Sequence, residues 1–264
     1  MAIVWKENGT FKEIGKERSE SLWIQNEYRN GQQSRPSLEG DIRAEVVVVG
    51  AGLAGVLTAY LLQERGISVV VLECNEAGSG MTKNTTAKIT SQHGLIYKKL
   101  MTYKGEELAR EYAWSNQIAV GKFEEIISRL KIDCDYELKS NYIYTLDNDL
   151  RIKQEVEAAK KLGLPATYTK ETTLPFPVKS AIRFDGQAQF HPLRFLDALA
   201  KELTIYEHTR ITEIRSDGLI LTDKGSVKGK KIVIATHYPF INAPGYYFLR
   251  MHQEREYLLA LKCK

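Results

Sequence analysis

Apolar residues near the start of the chain fall into two short runs separated by a helical pattern. Residues 45–50, EVVVVG, form a β-branched run ended by glycine, which is typical of a buried strand in a parallel sheet. Apolar side chains then recur at helical spacing over residues 53–65, and Gly66 follows at a C-terminal cap position. Residues 67–72, ISVVVL, predict a second buried strand. A strand, a helix and a strand in this order form one βαβ unit.

The rest of the chain mixes helical and strand patterns. Helical periodicity covers residues from about 105 to 130, 149–163 and 191–203, with Pro192 in the first turn of the last helix. Residues 134–147 alternate as a strand, and 164–190 contain short extended pieces between prolines. Residues 204–214, 218–223 and 230–236 predict three further strands. We infer an α/β (α+β) fold in which a second domain interrupts a nucleotide-binding sheet.

Composition and charge exclude several classes of protein. The chain has 264 residues, of which 43% are hydrophobic and 27% charged, as in an ordinary globular protein. The net charge of +4 comes from scattered lysines, so no nucleic-acid partner is expected. No apolar run has the length of a membrane span, which predicts a cytoplasmic protein. Cys74, Cys134 and Cys263 have no metal-binding spacing, so no metal is expected.

The segment GAGLAG after the first strand matches the dinucleotide fingerprint G-x-G-x-x-G. Gly50 allows a tight turn, Gly52 lets the backbone approach a pyrophosphate, and Gly55 permits close packing of helix on strand. Glu73 ends the second strand at the spacing expected for a carboxylate that binds ribose hydroxyls. An acidic residue there favours FAD or NAD over NADP, and the fingerprint leaves the choice between FAD and NAD open.

A polar loop, GSGMTKNTTAKIT at residues 78–90, follows the second strand directly. In a nicotinamide-dependent dehydrogenase, further βα repeats usually occupy this place. Hydroxyl, amide and backbone N–H groups suit contacts to a flavin cofactor, although the same residues also form ordinary turns. The position of this loop favours FAD over NAD.

With this loop the chain resembles the FAD-dependent oxidoreductases of the D-amino acid oxidase and glycine oxidase superfamily. Within that superfamily it is most similar to the bacterial branch that carries a C-terminal Rieske iron–sulfur domain. The resemblance covers roughly residues 41–260 and rests on VVVVGAGLAGVLTAYLLQERG, VVVLE, TTAKITSQHGLIY, FDGQAQFHPLRFLDALA and KKIVIATHYPF. The Rieske motifs and the end of the oxidoreductase part are absent from the sequence, so we expect a C-terminally truncated protein.

The resemblance implies a Rossmann-like FAD-binding domain with an interleaved, mixed-sheet substrate domain. Residues 1–40 would be an N-terminal extension, 41–131 and 191–239 the FAD-binding domain, and 132–190 and 240–264 an incomplete substrate or cap domain. The implied enzyme oxidises a small amine or amino-acid-like substrate by hydride transfer to flavin. Two alternatives remain open: an NAD-dependent dehydrogenase, and a non-catalytic flavin-binding fragment that needs a missing C-terminal half or a partner chain.

The resemblance also implies contacts along the whole cofactor, from adenine to flavin. The expected cofactor-binding residues are Gly50, Gly52, Leu53, Ala54, Gly55, Glu73, Cys74, Gly80, Thr82, Asn84, Thr85, Thr86, Ala87, Ile211, Ala235 and Thr236. Among them, Ile211 is expected to pair with adenine through its backbone. Ala235 and Thr236 would close over the flavin, and His237 stands where the family usually has glycine.

No catalytic residue is identified from the sequence. Lys88 is a weak candidate for stabilising negative charge on a reduced flavin, with an ordinary solvated lysine as the alternative. His93 is a weak candidate for lining the substrate cavity, and a turn or capping histidine is an equal alternative. His191 precedes Pro192 at a predicted helix start, which favours an N-terminal capping role.

Overall fold

The computed structural model describes residues 34–238 without a break, together with 5–7, 10–12, 21, 23, 24, 240, 241 and 245–254. The strands are β1 (Trp5–Glu7), β2 (Thr10–Lys12), β3 (Gly40–Val49), β4 (Val69–Leu72), β5 (Lys88–Ile89), β6 (Glu137–Thr145), β7 (Ala166–Thr169), β8 (Ser180–Gln189), β9 (Thr204–Tyr206), β10 (Ile211–Ile214), β11 (Leu219–Thr222) and β12 (Gly225–Ile234). The helices are α1 (Leu53–Gln63), α2 (Tyr97–Lys104), α3 (Glu106–Leu130), α4 (Leu150–Lys161) and α5 (Pro192–Ala200), with 3₁₀ turns at Met81–Asn84 and Tyr247–Leu249.

The first sheet has six strands in the order β10, β11, β12, β3, β4, β9. Strands β12, β3, β4 and β9 are parallel, and β10 and β11 extend the sheet in antiparallel fashion. The consecutive elements β3, α1 and β4 form the predicted βαβ unit. Because the carboxyl ends of parallel strands lie at one edge, Gly50, Glu73 and Ala235 follow β3, β4 and β12 at the same edge.

Two separate cores cover the faces of this sheet. Val46 and Val48 pack with side chains of α1 and α5 on one face. Val47 points to the other face, where it packs with Leu38 and Ile220. Successive side chains of a strand point to opposite faces, so a strand covered on both sides is apolar throughout. This double burial explains the continuous valine run of β3.

The second sheet consists of β5 to β8, which lie between β4 and β9 in the sequence. Strand β8 is central and pairs in antiparallel fashion with β5, β6 and β7. Helices α2, α3 and α4 pack on the face that carries Ile182 and Phe184, and Tyr97 and Ile152 lie in the same core. The first sheet is therefore interrupted in the chain by a second layered unit, which confirms the interleaved α/β fold.

Helix α3 contributes to both cores. Its first half buries Ala109 and Ala113 against the second sheet, and its second half buries Val120 and Ile126 in the core of the first. A helix of 25 residues is about 37 Å long, which is enough to contact both units. The division of the chain into a FAD-binding and a substrate domain stays a proposal.

Several predicted elements differ from the structure. Residues 204–214 form two strands rather than one, because the chain turns between them at His208, whose φ is 49°. Residues 97–104 form the unpredicted helix α2. The last apolar strand spans 225–234 rather than 230–236, and the supposedly irregular extension contains the antiparallel pair β1 and β2.

Among the residues described, no helix is both long enough and apolar enough to cross a membrane. The same residues contain no cluster of three or more histidine, cysteine or acidic side chains arranged to hold a metal ion.

Candidate functional site

The turn between β3 and α1 packs its glycines directly against the end of β12. Gly50 has a φ of 104°, and a Cβ atom placed on it would lie 2.7 Å from the carbonyl oxygen of Ala235. A Cβ atom on Gly55 would lie 1.9 Å from the carbonyl oxygen of Gly50. By contrast, a Cβ atom on Gly52 would meet only the Thr82 hydroxyl, at 3.4 Å. Two glycines are therefore sterically required, and the third leaves the backbone accessible.

The N-terminus of α1 is suited to an anion. Gly52 caps the helix without a side-chain hydrogen bond, and the first turn, which includes Ala54, contains no acidic residue. The Leu53 N–H donates to the hydroxyl oxygen of Thr82 at 2.9 Å. Since the first N–H groups of a helix have no partner inside it and carry the positive dipole end, this turn favours a phosphate.

Glu73 holds the glycine turn and the start of the polar loop together. Its Oε2 accepts from the Ala51 N–H at 2.8 Å, and its Oε1 accepts from the Asn75 N–H at 2.9 Å. The Cys74 thiol donates to Oε1 at 3.4 Å. A carboxylate has about four lone pairs, so Glu73 can accept further hydrogen bonds from ribose hydroxyls while keeping these.

The first half of the polar loop contacts the glycine turn. The Gly78 N–H donates to the carbonyl oxygen of Ala51 at 3.0 Å. Gly78 has a φ of 74°, and a Cβ atom there would lie 2.9 Å from Leu193 of α5. The following 3₁₀ turn carries Thr82 back to Leu53. This half of the loop is thus closed against α1 and α5.

The second half of the loop is shaped by its own side chains. The Asn84 amide donates to the carbonyl oxygen of Gly80 at 3.2 Å, and the Thr85 hydroxyl accepts from the Ala87 N–H at 3.2 Å. Ala87 is buried with a φ of 55°, and its carbonyl oxygen accepts from the Phe190 N–H. These two side-chain bonds form turns within the loop and give it a defined shape.

The end of β12 closes over the glycine turn. The Ala235 N–H donates to the carbonyl oxygen of Val49 at 2.8 Å, and the Thr236 hydroxyl donates to the carbonyl oxygen of Tyr238 at 2.9 Å. His237 has a φ of 64°, in the left-handed region that favours glycine. A non-glycine residue pays about 1–2 kcal/mol for this conformation. The left-handed backbone conformation at position 237 explains why the family usually has glycine there.

Ile211 is linked to Glu73 through a neighbouring residue. The Thr209 N–H, two residues before Ile211, donates to the carbonyl oxygen of Glu73 at 2.9 Å. Ile211 itself begins β10 and packs partly against the core that contains Leu38 and Val47. Its backbone contact with adenine remains a prediction.

The two weak catalytic candidates lie on the second sheet and next to it. Lys88 begins β5 and, like Thr86, is exposed. His93 Nδ1 lies 2.9 Å from the Tyr112 hydroxyl oxygen on α3. Among the described residues, no hydrogen bond or ion pair joins Lys88 or His93 to the glycine turn, and their roles stay predictions.

Sequence reasoning missed a partly buried ion pair next to the start of the loop. Glu207 is 5% exposed, and its Oε1 lies 3.0 Å from an Arg35 guanidinium nitrogen. The same oxygen accepts from the Ala77 N–H at 2.9 Å. Glu207 directly follows the short strand β9, and an acidic residue at that position could have indicated this ion pair. Ser21 and Trp23, in the segment interpreted as an irregular extension, also contact the loop and were missed.

Cys74 and Cys134 are expected to differ in their reactivity towards thiol reagents. Burial and the negative charge of Glu73 raise the pKa of the exposed Cys74 thiol, and burial raises the pKa of Cys134 to about 11. Because the thiolate is the nucleophile, iodoacetamide at neutral pH should alkylate Cys74 slowly and leave Cys134 unmodified. Added FAD should lower the rate of alkylation at Cys74 further.

Peptide mass spectrometry after timed quenching measures this difference, and Cys263 is followed separately as a site outside the described residues. Urea-unfolded protein is the control, in which both thiols should react fully. Equal modification of Cys74 and Cys134 in the folded protein would contradict the prediction.

Comparison with known proteins identifies a family. The sequence model of the family described as FAD dependent oxidoreductase (DAO) matches residues 45–263. The chain is 34% identical over 261 residues to the putative Rieske 2Fe-2S iron-sulfur protein YhfW of Bacillus subtilis (strain 168), covering 95% of this chain and 51% of that protein. It is 25% identical to the gamma-glutamylputrescine oxidoreductase of Escherichia coli (strain K12), covering 75% of this chain and 50% of that protein.

Solved structures share the fold. The glycine oxidase from Geobacillus kaustophilus superposes with a TM-score of 0.60 at 21% identity, covering 73% of this chain and 55% of that one. The L-proline dehydrogenase from P. horikoshii also gives 0.60 at 22% identity, covering 75% and 54%. The chain spans about half the length of the curated relatives it matches. The resemblance found from the sequence is thereby confirmed.

Proposed function

This chain belongs to the family of FAD-dependent oxidoreductases, and we propose that it binds FAD at the edge formed by β3, β4 and β12. The observation that carries the proposal is the glycine turn. It is closed behind Gly50 and Gly55 by backbone atoms and is accessible at Gly52, directly at the start of α1. These residues fit a dinucleotide, because the space that two side chains would fill is used for close packing and the third position admits a ligand.

The pyrophosphate would lie at the first turn of α1. Its negative charge would be stabilised by the helix dipole and by the N–H groups of Ala54 and Gly55. The Leu53 N–H already donates to the hydroxyl oxygen of Thr82, so Leu53 would reach the phosphate only through that hydroxyl. Thr82 would then turn its hydroxyl proton towards the phosphate.

The adenosine part would extend from Glu73 towards Ile211. Glu73 would accept from ribose hydroxyls with the lone pairs that Ala51 and Asn75 leave unused. Thr209 ties the chain before β10 to Glu73, so the two expected contacts are held together. An acidic residue at this place selects a ribose that carries no 2′-phosphate.

The flavin end would lie along residues 80–87, with Ala235 and Thr236 on its other side. When bound, FAD supplies the ring that accepts a hydride. The residues of this chain would orient that ring through the loop and exclude water from it. We propose Lys88 as a charge that stabilises the reduced cofactor and His93 as a residue near the substrate cavity.

The proposed activity is oxidation of an amine or amino acid. The names of a glycine oxidase and a gamma-glutamylputrescine oxidoreductase among the similar proteins support this substrate class. Because the chain spans about half of its curated relatives, we propose that turnover requires residues beyond this chain or a partner chain. We propose that the matched part binds FAD by itself and that it acts in the cytoplasm.

A visible absorption spectrum of the purified protein tests this function. We expect the visible absorption bands of a flavin, either as purified or after incubation with FAD, because the proposed site is formed within one chain. Heat denaturation followed by chromatography of the released compound distinguishes FAD from NAD. A colourless protein that takes up no added FAD would contradict the proposal.

A further inference from the structure

We infer that Ser21 and Trp23 are positioning residues for the polar loop at residues 78–90. They hold the carbonyl groups of Lys83 and Thr85 in place before FAD binds. This inference rests on the proposed function, since it concerns the same loop. Both residues lie before residue 45, where the match to the FAD-dependent oxidoreductase family begins. A segment outside the matched unit therefore shapes the site inside it.

Two donors of this segment meet two acceptors of the loop. The Trp23 indole Nε1–H donates to the carbonyl oxygen of Thr85 at 2.8 Å. The Ser21 hydroxyl donates to the carbonyl oxygen of Lys83. Ser21 is itself fixed, because its hydroxyl oxygen accepts from the Trp23 N–H at 3.1 Å and its carbonyl oxygen accepts from the Ile24 N–H at 3.1 Å. The two donors, Ser21 and Trp23, are two residues apart, and so are the two acceptors. The same approach of the two segments therefore allows both bonds to form.

The indole ring is held by the protein core. Trp23 packs against the core of the first sheet, and its ring meets the ring of His191 edge-on at a centroid distance of 5.2 Å. His191 caps α5 by accepting from the Arg194 N–H at 3.3 Å, which confirms the predicted capping role. Its backbone N–H donates to the carbonyl oxygen of Cys134. Burial lowers the pKa of His191, which keeps the ring neutral and able to accept at neutral pH.

The loop needs these donors between its two fixed points. Thr82 is bonded to α1, and Ala87 is bonded to Phe190. Between them, the carbonyl oxygens of Lys83 and Thr85 accept hydrogen bonds from Ser21 and Trp23. Without them the loop would keep its internal bonds at Asn84 and Thr85 and lose the two that fix it to the N-terminal segment. The remaining ordering on binding would carry an entropy cost that weakens binding.

The test is Trp23→Phe, which keeps an aromatic ring against His191 and removes the Nε1–H donor. The matched control is Trp114→Phe, because Trp114 lies on α3, is 54% exposed and is close to Gly163 of the second unit. A lost hydrogen bond of about 1 kcal/mol corresponds to a roughly fivefold weaker binding of FAD. We expect that loss for Trp23→Phe, a larger one for Ser21→Ala combined with Trp23→Phe, and none for Trp114→Phe.

Two measurements are made on each variant: FAD titration by flavin fluorescence, and hydrogen exchange of the protein without FAD. Trp23→Phe should speed exchange in peptides covering residues 78–87 and leave those covering α4 (Leu150–Lys161) unchanged. Unchanged exchange at 78–87 with unchanged affinity would overturn the inference. Faster exchange throughout the chain would also overturn it, since Trp23 would then act only through general packing.

The two proposals fail in different ways. If the wild-type protein binds no FAD, the proposed function fails, and exchange at residues 78–87 still tests the positioning of the loop. If Trp23→Phe does not fold, Ser21→Ala removes the second donor with a smaller change in volume. Hydrogen exchange and FAD affinity are then measured on Ser21→Ala. Faster exchange at residues 78–87 supports the inference, and wild-type values of both overturn it.

Discussion

Replacing Gly55 by alanine is expected to abolish FAD binding and to lower the free energy of unfolding by about 3 kcal/mol. The added Cβ would lie 1.9 Å from the carbonyl oxygen of Gly50, which is a backbone atom at the end of β3. Neither atom can move unless α1 shifts away from the sheet. Such a shift would displace the first turn of α1, where the pyrophosphate is expected, so binding and stability should fall together.

Urea denaturation followed by circular dichroism measures the stability change, and flavin fluorescence measures the affinity. Gly121→Ala is the matched control, because Gly121 lies within α3 and a Cβ atom there would have no neighbour within 4 Å. Alanine is favoured over glycine in a helix by about 1 kcal/mol, so this variant should be slightly more stable and bind FAD normally. Wild-type stability of Gly55→Ala would show that the turn is not as closely packed as the structure indicates.

Replacing Glu73 by glutamine is expected to weaken FAD binding by about 10–100-fold, which corresponds to one lost charge-assisted hydrogen bond of roughly 1.5–3 kcal/mol. Both carboxylate oxygens accept from backbone N–H groups, of Ala51 and Asn75. A glutamine amide has one oxygen, so its NH₂ group would face one of these N–H donors. The glycine turn or the start of the loop would then lose its partner, and the ribose would lose a charged acceptor.

Isothermal titration of the protein with FAD measures this loss. Glu76→Gln is the control, since Glu76 is three residues away, is exposed, and undergoes the same change of charge. Equal effects of Glu73→Gln and Glu76→Gln would mean that only net charge matters. That result would contradict a specific role of Glu73.

The site combines three segments that are distant in the sequence. They are the glycine turn at 50–55, Glu73 with the polar loop at 78–90, and residues 235–236 directly after β12. They meet because β3 lies between β4 and β12 in one parallel sheet. The N-terminal segment adds a fourth contribution through Ser21 and Trp23. A protein that lacked this segment would keep the fingerprint and lose part of the order of the loop.

The βαβ unit and its fingerprint could be predicted because their causes are local. Runs of valine at 46–49 and 69–71 indicate strands that are buried on both faces. Gly50 and Gly55 are required by contacts that this unit makes each time it forms, with φ 104° at Gly50 and close packing at Gly55. Spacing alone therefore predicted the turn, α1 and the place of Glu73.

Helix α2 could not be predicted because its stabilisation comes from another part of the chain. Its sequence, YKKLMTYK, is mostly polar, and Tyr97 is its buried residue. The carboxylate of Glu155, on α4, accepts from the N–H groups of Tyr97 and Lys98 at 2.7 and 2.9 Å. This buried acceptor satisfies the start of the helix from a distance of more than fifty residues along the chain.

The amino-acid sequence alone was enough to predict the parallel βαβ unit, its glycine turn, the acidic residue after β4 and the FAD-dependent oxidoreductase family. The first three follow from periodicity or spacing within a short segment. The family follows from a resemblance that is spread over roughly residues 41–260. Three contacts became visible only in the three-dimensional structure: Ala235 packs against Gly50, Glu207 pairs with Arg35 next to the loop, and Trp23 donates to Thr85. These contacts join residues separated by tens to hundreds of positions, and hydrogen bonds at that range leave no periodic pattern in the sequence.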